Sequence, residues 1–163
     1  MKAANFAKTD IPSKWLHRFY ACLFAAMAFT GFGQMPIFKR YYLADIPGMA
    51  WTADFYFTHT LHYLGAGFLL ALVAYFIGDF LLSRRKHFRL TPSAYFRVAL
   101  LTGIVVTGIF RVLKNLPDVV FSPAFTLFID LAHLGFMMIY LITALALVLS
   151  HGRWLAPRGM PNL

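Results

Sequence analysis

The chain contains no glutamate. Its six acidic residues are all aspartates, set against 15 lysines and arginines in 163 residues. Charged residues of both signs make up only 13% of the chain, while 60% is hydrophobic. A soluble domain of this size could bury a core but would not be this apolar. There is one cysteine, Cys22, inside an apolar run. It excludes an intramolecular disulfide and reads as a small packing residue. Internal repeats, low-complexity tracts and Gly/Ser linkers are missing as well, and the loops are too short to hold a separate domain. What fills the chain instead is long apolar segments, with a mean hydropathy of +0.66. The net charge of +9 would suit nucleic acid in a soluble protein. In a membrane chain, basic residues mark cytoplasmic loops, so the expected surroundings are membrane lipid and no nucleic acid.

A bilayer crossing needs about 20 mostly apolar residues. Four segments qualify, at about 16–38 (apolar from Phe19 to Phe38), 55–80, 92–113 and 123–149. The third has a short uncharged centre, and Arg97 and Arg111 at its ends can snorkel toward opposite faces. The fourth is interrupted by Asp130. The first is too long for a signal-peptide core and lacks a convincing cleavage site, so it reads as an uncleaved helix. The fold class expected is all-α: a single transmembrane domain over 1–163, an integral membrane four-helix bundle. Lys2, Lys8, Lys14 and Arg18 precede the first span, Arg84, Arg85, Lys86, Arg89 and Arg97 lie between the second and third, and Arg153 and Arg158 follow the last. These segments share one side, which places both termini in the cytoplasm. On the other side Lys39, Arg40, Arg111 and Lys114 are offset by Asp45, Asp54 and Asp118.

With this topology the histidines fall at definite depths. His62 lies about two turns, and His133 about three turns, inside their spans from the outer end. His59 is on nearly the same face as His62, one turn closer to the surface. His17 and His151 sit at the inner edges of the first and fourth spans, and His87 is in a basic loop. Two imidazoles at similar depth on different helices fit axial ligation of a b-type haem, with His62 and His133 as the metal ligands. Small residues should line the slot: Gly65 and Gly67 follow His62, and Gly135 follows His133. Haem propionates need cations at the outer edge. Arg111 and Lys114 are at a suitable depth, with Arg40 and Lys39 as alternatives. Structural zinc wants four clustered ligands, which are not present. A proton relay using a histidine and Asp130, and a bundle with hydrogen-bonded packing histidines and no cofactor, remain open.

The segments also resemble a family. "WLHRFYACLFAAMAFTGFG" with His17 and Thr30–Gly31, "LHYLGAGFLLAL" with His62, "VVTGIFRVL" with Arg111, and "LAHLGFMMIYL" with His133 are similar, in order and spacing, to the membrane cytochrome b (gamma) subunit of formate dehydrogenases and nickel-iron hydrogenases. The resemblance covers about Lys14 to Leu155. It implies an inner-membrane, multi-pass subunit of a respiratory oxidoreductase, non-catalytic or quinone-reactive, that passes electrons from a peripheral redox subunit to quinone. It also implies two haems. Here Leu147 stands where the family carries a second histidine on its fourth helix, so the usual mate of His17 is missing. His151 is the available substitute. It follows His133 by about five whole turns, which puts the two on one face if the helix continues.

The expectation is therefore one outer haem b, with a second open to His17 and His151. The extracytoplasmic partner is an iron-sulfur or multihaem cytochrome subunit, and the other redox partner is a membrane quinone or quinol. Asp130 is either ion-paired with Arg111 or another outer cation, or a proton carrier beside a quinone. His59 either hydrogen-bonds a propionate or quinone or caps its helix. The alternative is a cofactor-free membrane anchor or assembly subunit. A transporter lacks the broken helices and paired repeat it would need.

Overall fold

The computed structural model describes residues 14–35 and 43–158. Lys39 and Arg40 lie outside the described residues. The chain divides into two compact units, Met1–Arg84 and Arg85–Leu163, and each is built on one helical hairpin.

In the first unit, α1 (Lys14–Gly33) is rich in alanine and long apolar side chains, good helix formers. It ends on a turn in which the Gln34 side-chain amide donates to the Thr30 carbonyl at 3.3 Å, satisfying one of the otherwise unpaired terminal acceptors. Two short 3₁₀ turns, Leu43–Asp45 and Ala50–Ala53, follow. The second packs Trp51 between Phe29 and Phe57, with ring centroids 5.7 and 5.8 Å away. Asp54 then caps α2 (Phe55–Asp79), its carboxylate accepting from the Phe57 amide at 3.0 Å. A negative side chain at this end suits the helix dipole. α2 runs into a wider π turn at Phe80–Arg84, closed by an Arg84–Asp79 ion pair at 2.6 Å.

The hairpin is antiparallel, and its register can be followed along the seam. Gly33 faces Thr58, Gly31 faces His62, Gly65 faces Met27, and Tyr20 meets Phe76. Small residues let the two backbones approach. A Cβ built on Gly65 would lie 2.4 Å from the Met27 sulfur.

In the second unit, a two-stranded antiparallel ribbon pairs β1 (Phe88–Leu90) with β2 (Leu155–Pro157), in the register Phe88↔Pro157 and Leu90↔Leu155. It ties the start of the unit to its end. α3 (Pro92–Leu113) and α4 (Pro123–Leu149) both open with a hydroxyl cap followed by proline at the first helical position. Thr91 accepts from the Ala94 amide at 3.1 Å, and Ser122 accepts from Phe125 at 3.3 Å. Proline is favoured at that place because its missing N–H would be unpaired there anyway. Arg97 does not snorkel outward. It is buried, its guanidinium lies 3.8 Å over the Trp154 ring, and Nη2 donates to the Arg153 carbonyl at 3.1 Å.

The end of α4 is a Schellman turn. The Gly152 amide donates to the Leu147 carbonyl at 2.7 Å and the His151 amide to Val148 at 3.3 Å, the two bonds that define this motif. His151 occupies the left-handed position, with φ of 54°.

Among the described residues, three helices are long and apolar enough to cross a membrane: Phe55–Arg84, Pro92–Leu113 and Pro123–Leu149. α1 is not among them, because Lys14, His17 and Arg18 occupy its first turns. Apolar surface is turned outward, as lipid requires and water penalises. On α4, Phe128, Leu131, Ile142 and Leu145 are 59–64% exposed, whereas Ile129 and Tyr140 are buried.

Candidate functional site

His62 sits on α2 in the seam of the first hairpin, half-buried. Its Nδ1 lies 3.0 Å from the Thr30 hydroxyl oxygen on α1. That hydroxyl also faces the Ala26 and Met27 carbonyls, at 2.9 and 3.2 Å. Gly31, the next residue, provides the space: a Cβ there would come within 3.2 Å of the imidazole Cε1.

His133 sits on α4 in the seam of the second hairpin, also half-buried. Its Nδ1 lies 3.0 Å from the Thr107 hydroxyl on α3. That hydroxyl faces the Gly103 and Ile104 carbonyls at 2.6 and 3.1 Å. A Cβ on Gly108 would lie 3.4 Å from the His133 Cε1. Both hairpins therefore carry one arrangement: a Thr-Gly pair on the first helix and a histidine on the second. Thr30 and Thr107 are the contacts that reasoning from the histidines alone missed. The repeated Thr-Gly dipeptide ahead of each histidine is the signal that could have found them.

The other candidate residues are placed as follows. His59 Nδ1 is 3.1 Å from the Gln34 amide oxygen, and its ring stacks on Phe55 and lies 4.2 Å, centroid to centroid, from Tyr63. Helix capping belongs to Asp54 and not to His59. Asp130 is ion-paired chiefly with Lys114, whose Nζ donates to both carboxylate oxygens at 2.8 and 2.7 Å. The Arg111 Nε is a longer 3.4 Å away. With Asp118 in the connecting loop, the two cations and two aspartates at this end of the hairpin balance.

Gly65 is packed against Met27, so its missing side chain serves the α1–α2 contact. Gly67 and Gly135 would place a Cβ in open space. His17 is exposed near the start of α1, its ring 6.2 Å from that of Phe76. The helix that would carry His151 onto the face of His133 stops at Leu149, and the left-handed turn at His151 breaks the periodicity on which that alignment depends. Among the described residues no three His, Cys, Asp or Glu side chains converge as a metal cluster would require.

The described chain is mostly helical, with three helices long and apolar enough to cross a membrane. No protein-family model, curated protein or solved structure matches the chain.

Proposed function

We propose that the chain is a b-type cytochrome subunit of the inner (cytoplasmic) membrane. Both hairpins, α1 included, cross the bilayer as one four-helix bundle with the termini in the cytoplasm. Through one haem b, which His62 and His133 would hold, the chain would pass electrons between an extracytoplasmic iron-sulfur or multihaem partner and the membrane quinone pool. The observation that carries this reading is the half-buried imidazole in the seam of each apolar hairpin. Polar side chains at such depth are costly and mark functional sites.

The donor set fits the group: two imidazole nitrogens, on residues backed by glycine where a ring must come close. When bound, haem b supplies a one-electron iron couple. The chain's own residues do the rest. Arg111 and Lys114, both in reach of Asp130, would hold propionates at the outer edge. His59 and Gln34, beside Phe55 and Tyr63, offer a polar pair in an aromatic setting for a quinone headgroup. A single haem is favoured over two because His151 is built into a helix stop. Quinone chemistry then belongs near the outer haem.

One observation favours the alternative, a cofactor-free anchor. Asp130 already pairs with both nearby cations, and Met27 already fills the notch at Gly65. Pyridine haemochrome measured against quantitative amino-acid analysis of the purified chain separates the two readings. About one haem per chain is expected. None in folded, well-expressed protein leaves the anchor.

A further inference from the structure

We propose that Thr30 and Thr107 are positioning residues, each fixing the Nδ1–H tautomer of the histidine opposite it, so that Nε2 of His62 and Nε2 of His133 are the ligating nitrogens. The inference rests on the cytochrome reading for the ligand, and on hydrogen-bond accounting within each hairpin for the tautomer.

A threonine hydroxyl has one proton. In a helix it is normally given to the carbonyl three or four residues back. Thr30 is placed to do so toward Ala26 at 2.9 Å, and Thr107 toward Gly103 at 2.6 Å. A carbonyl only accepts. With the proton in this usual place, the hydroxyl oxygen meets the imidazole as an acceptor, and Nδ1, 3.0 Å away, is the donor that satisfies both groups at once.

In a neutral imidazole a proton on Nδ1 leaves the lone pair on Nε2. Gly31 and Gly108 complete the device. At either position a Cβ would press on the imidazole Cε1, the carbon between the two nitrogens. Threonine sets the proton and glycine sets the approach, once in each hairpin. A ligand that donates its outer N–H becomes more basic toward the metal, which favours ferric over ferrous iron and lowers the midpoint potential.

The test uses the full chain in detergent and the variants T30V and T107V, which remove the hydroxyl but keep the shape, beside T30S and T107S, which keep it. In haem-free wild-type protein labelled with nitrogen-15 at histidine, long-range nitrogen–proton correlations are expected to show His62 and His133 protonated at Nδ1. In haem-loaded protein, each valine variant is expected to raise the midpoint potential and weaken haem affinity by roughly 10- to 100-fold. The serine variants should return both values toward wild type. An Nε2–H tautomer at either histidine, or valine variants with unchanged affinity and potential, overturns the role of the threonines while leaving the cytochrome standing. Wild-type protein that takes up no haem although its tautomers are as stated overturns the cytochrome, and with it the assignment of Nε2 as ligand.

Discussion

Replacing His151 by glycine tests whether that residue stops a helix or holds a cofactor. His151 has φ of 54° and closes the Schellman turn after α4. A left-handed conformation costs a residue with a Cβ about 1–2 kcal/mol, and histidine is among the residues that tolerate it best, so the lower figure applies. Glycine removes this strain but gives up about 0.5 kcal/mol of extra freedom in the unfolded chain. The balance is a gain of about 0.5 kcal/mol for H151G, an estimate built from those two terms. Alanine keeps the strain without histidine's tolerance of this conformation, so H151A is the control and should be no more stable than wild type. Heat or denaturant unfolding in detergent, followed by helical circular dichroism, gives the order H151G above H151A and wild type. The haem-to-protein ratio is measured on the same samples and should not change. If H151G is no more stable than H151A, the strain argument fails. If both variants lose haem relative to wild type, His151 is a ligand and the single-haem reading fails with it.

Two further substitutions probe the seams. D130N leaves Lys114 and Arg111 without their carboxylate in a partly covered place. It should cost about 1 kcal/mol of stability, the scale of one charge-assisted hydrogen bond with solvent discounting. Adding K114M should recover part of that loss, and a double-mutant cycle showing no coupling between 114 and 130 would contradict the observed pair. G65A presses a Cβ on the Met27 sulfur, near the end of a flexible side chain, and gains helix propensity, so overpacking should leave a net cost of at most about 1 kcal/mol. The double variant G65A/M27A should be less destabilised than the two single losses summed, and strict additivity in the same unfolding assay would refute the contact.

Helix starts were legible where local chemistry is unambiguous. Thr91–Pro92 and Ser122–Pro123 each put a hydroxyl cap before a proline, and the helices begin there. Helix ends were harder to read. The stretch after Leu149 contains Gly152, but the left-handed residue is the histidine before it, which periodicity alone carried onto the helix face. Arg97 reads as a snorkelling cation because its nearest sequence neighbours are apolar. Its actual cover, Trp154, is 57 positions away and arrives by way of the β1–β2 ribbon. Asp130 was legible as half of an ion pair, but its closer partner is Lys114 and not Arg111, since distance across a helix seam depends on register that no single segment encodes.

The histidines are conspicuous in apolar helices, whereas the Thr-Gly pairs at Thr30 and Thr107 carry part of the family resemblance but nothing in the sequence ties them to His62 and His133. A hydroxyl that satisfies itself on its own helix looks neutral in sequence. It gains meaning only when an antiparallel neighbour is in register, as Thr30 is with His62 and Thr107 with His133. This also explains why the chain shows no internal repeat although its two hairpins share a device. What recurs is a Thr-Gly pair and one histidine. The separation between threonine and histidine differs, 32 positions in one hairpin and 26 in the other, and loops of unequal length absorb the difference. Between the fixed points lie residues whose main requirement is to be apolar toward lipid, and Leu, Ile, Phe and Val meet that demand interchangeably. Three residues per hairpin are too few to register as similarity along the chain.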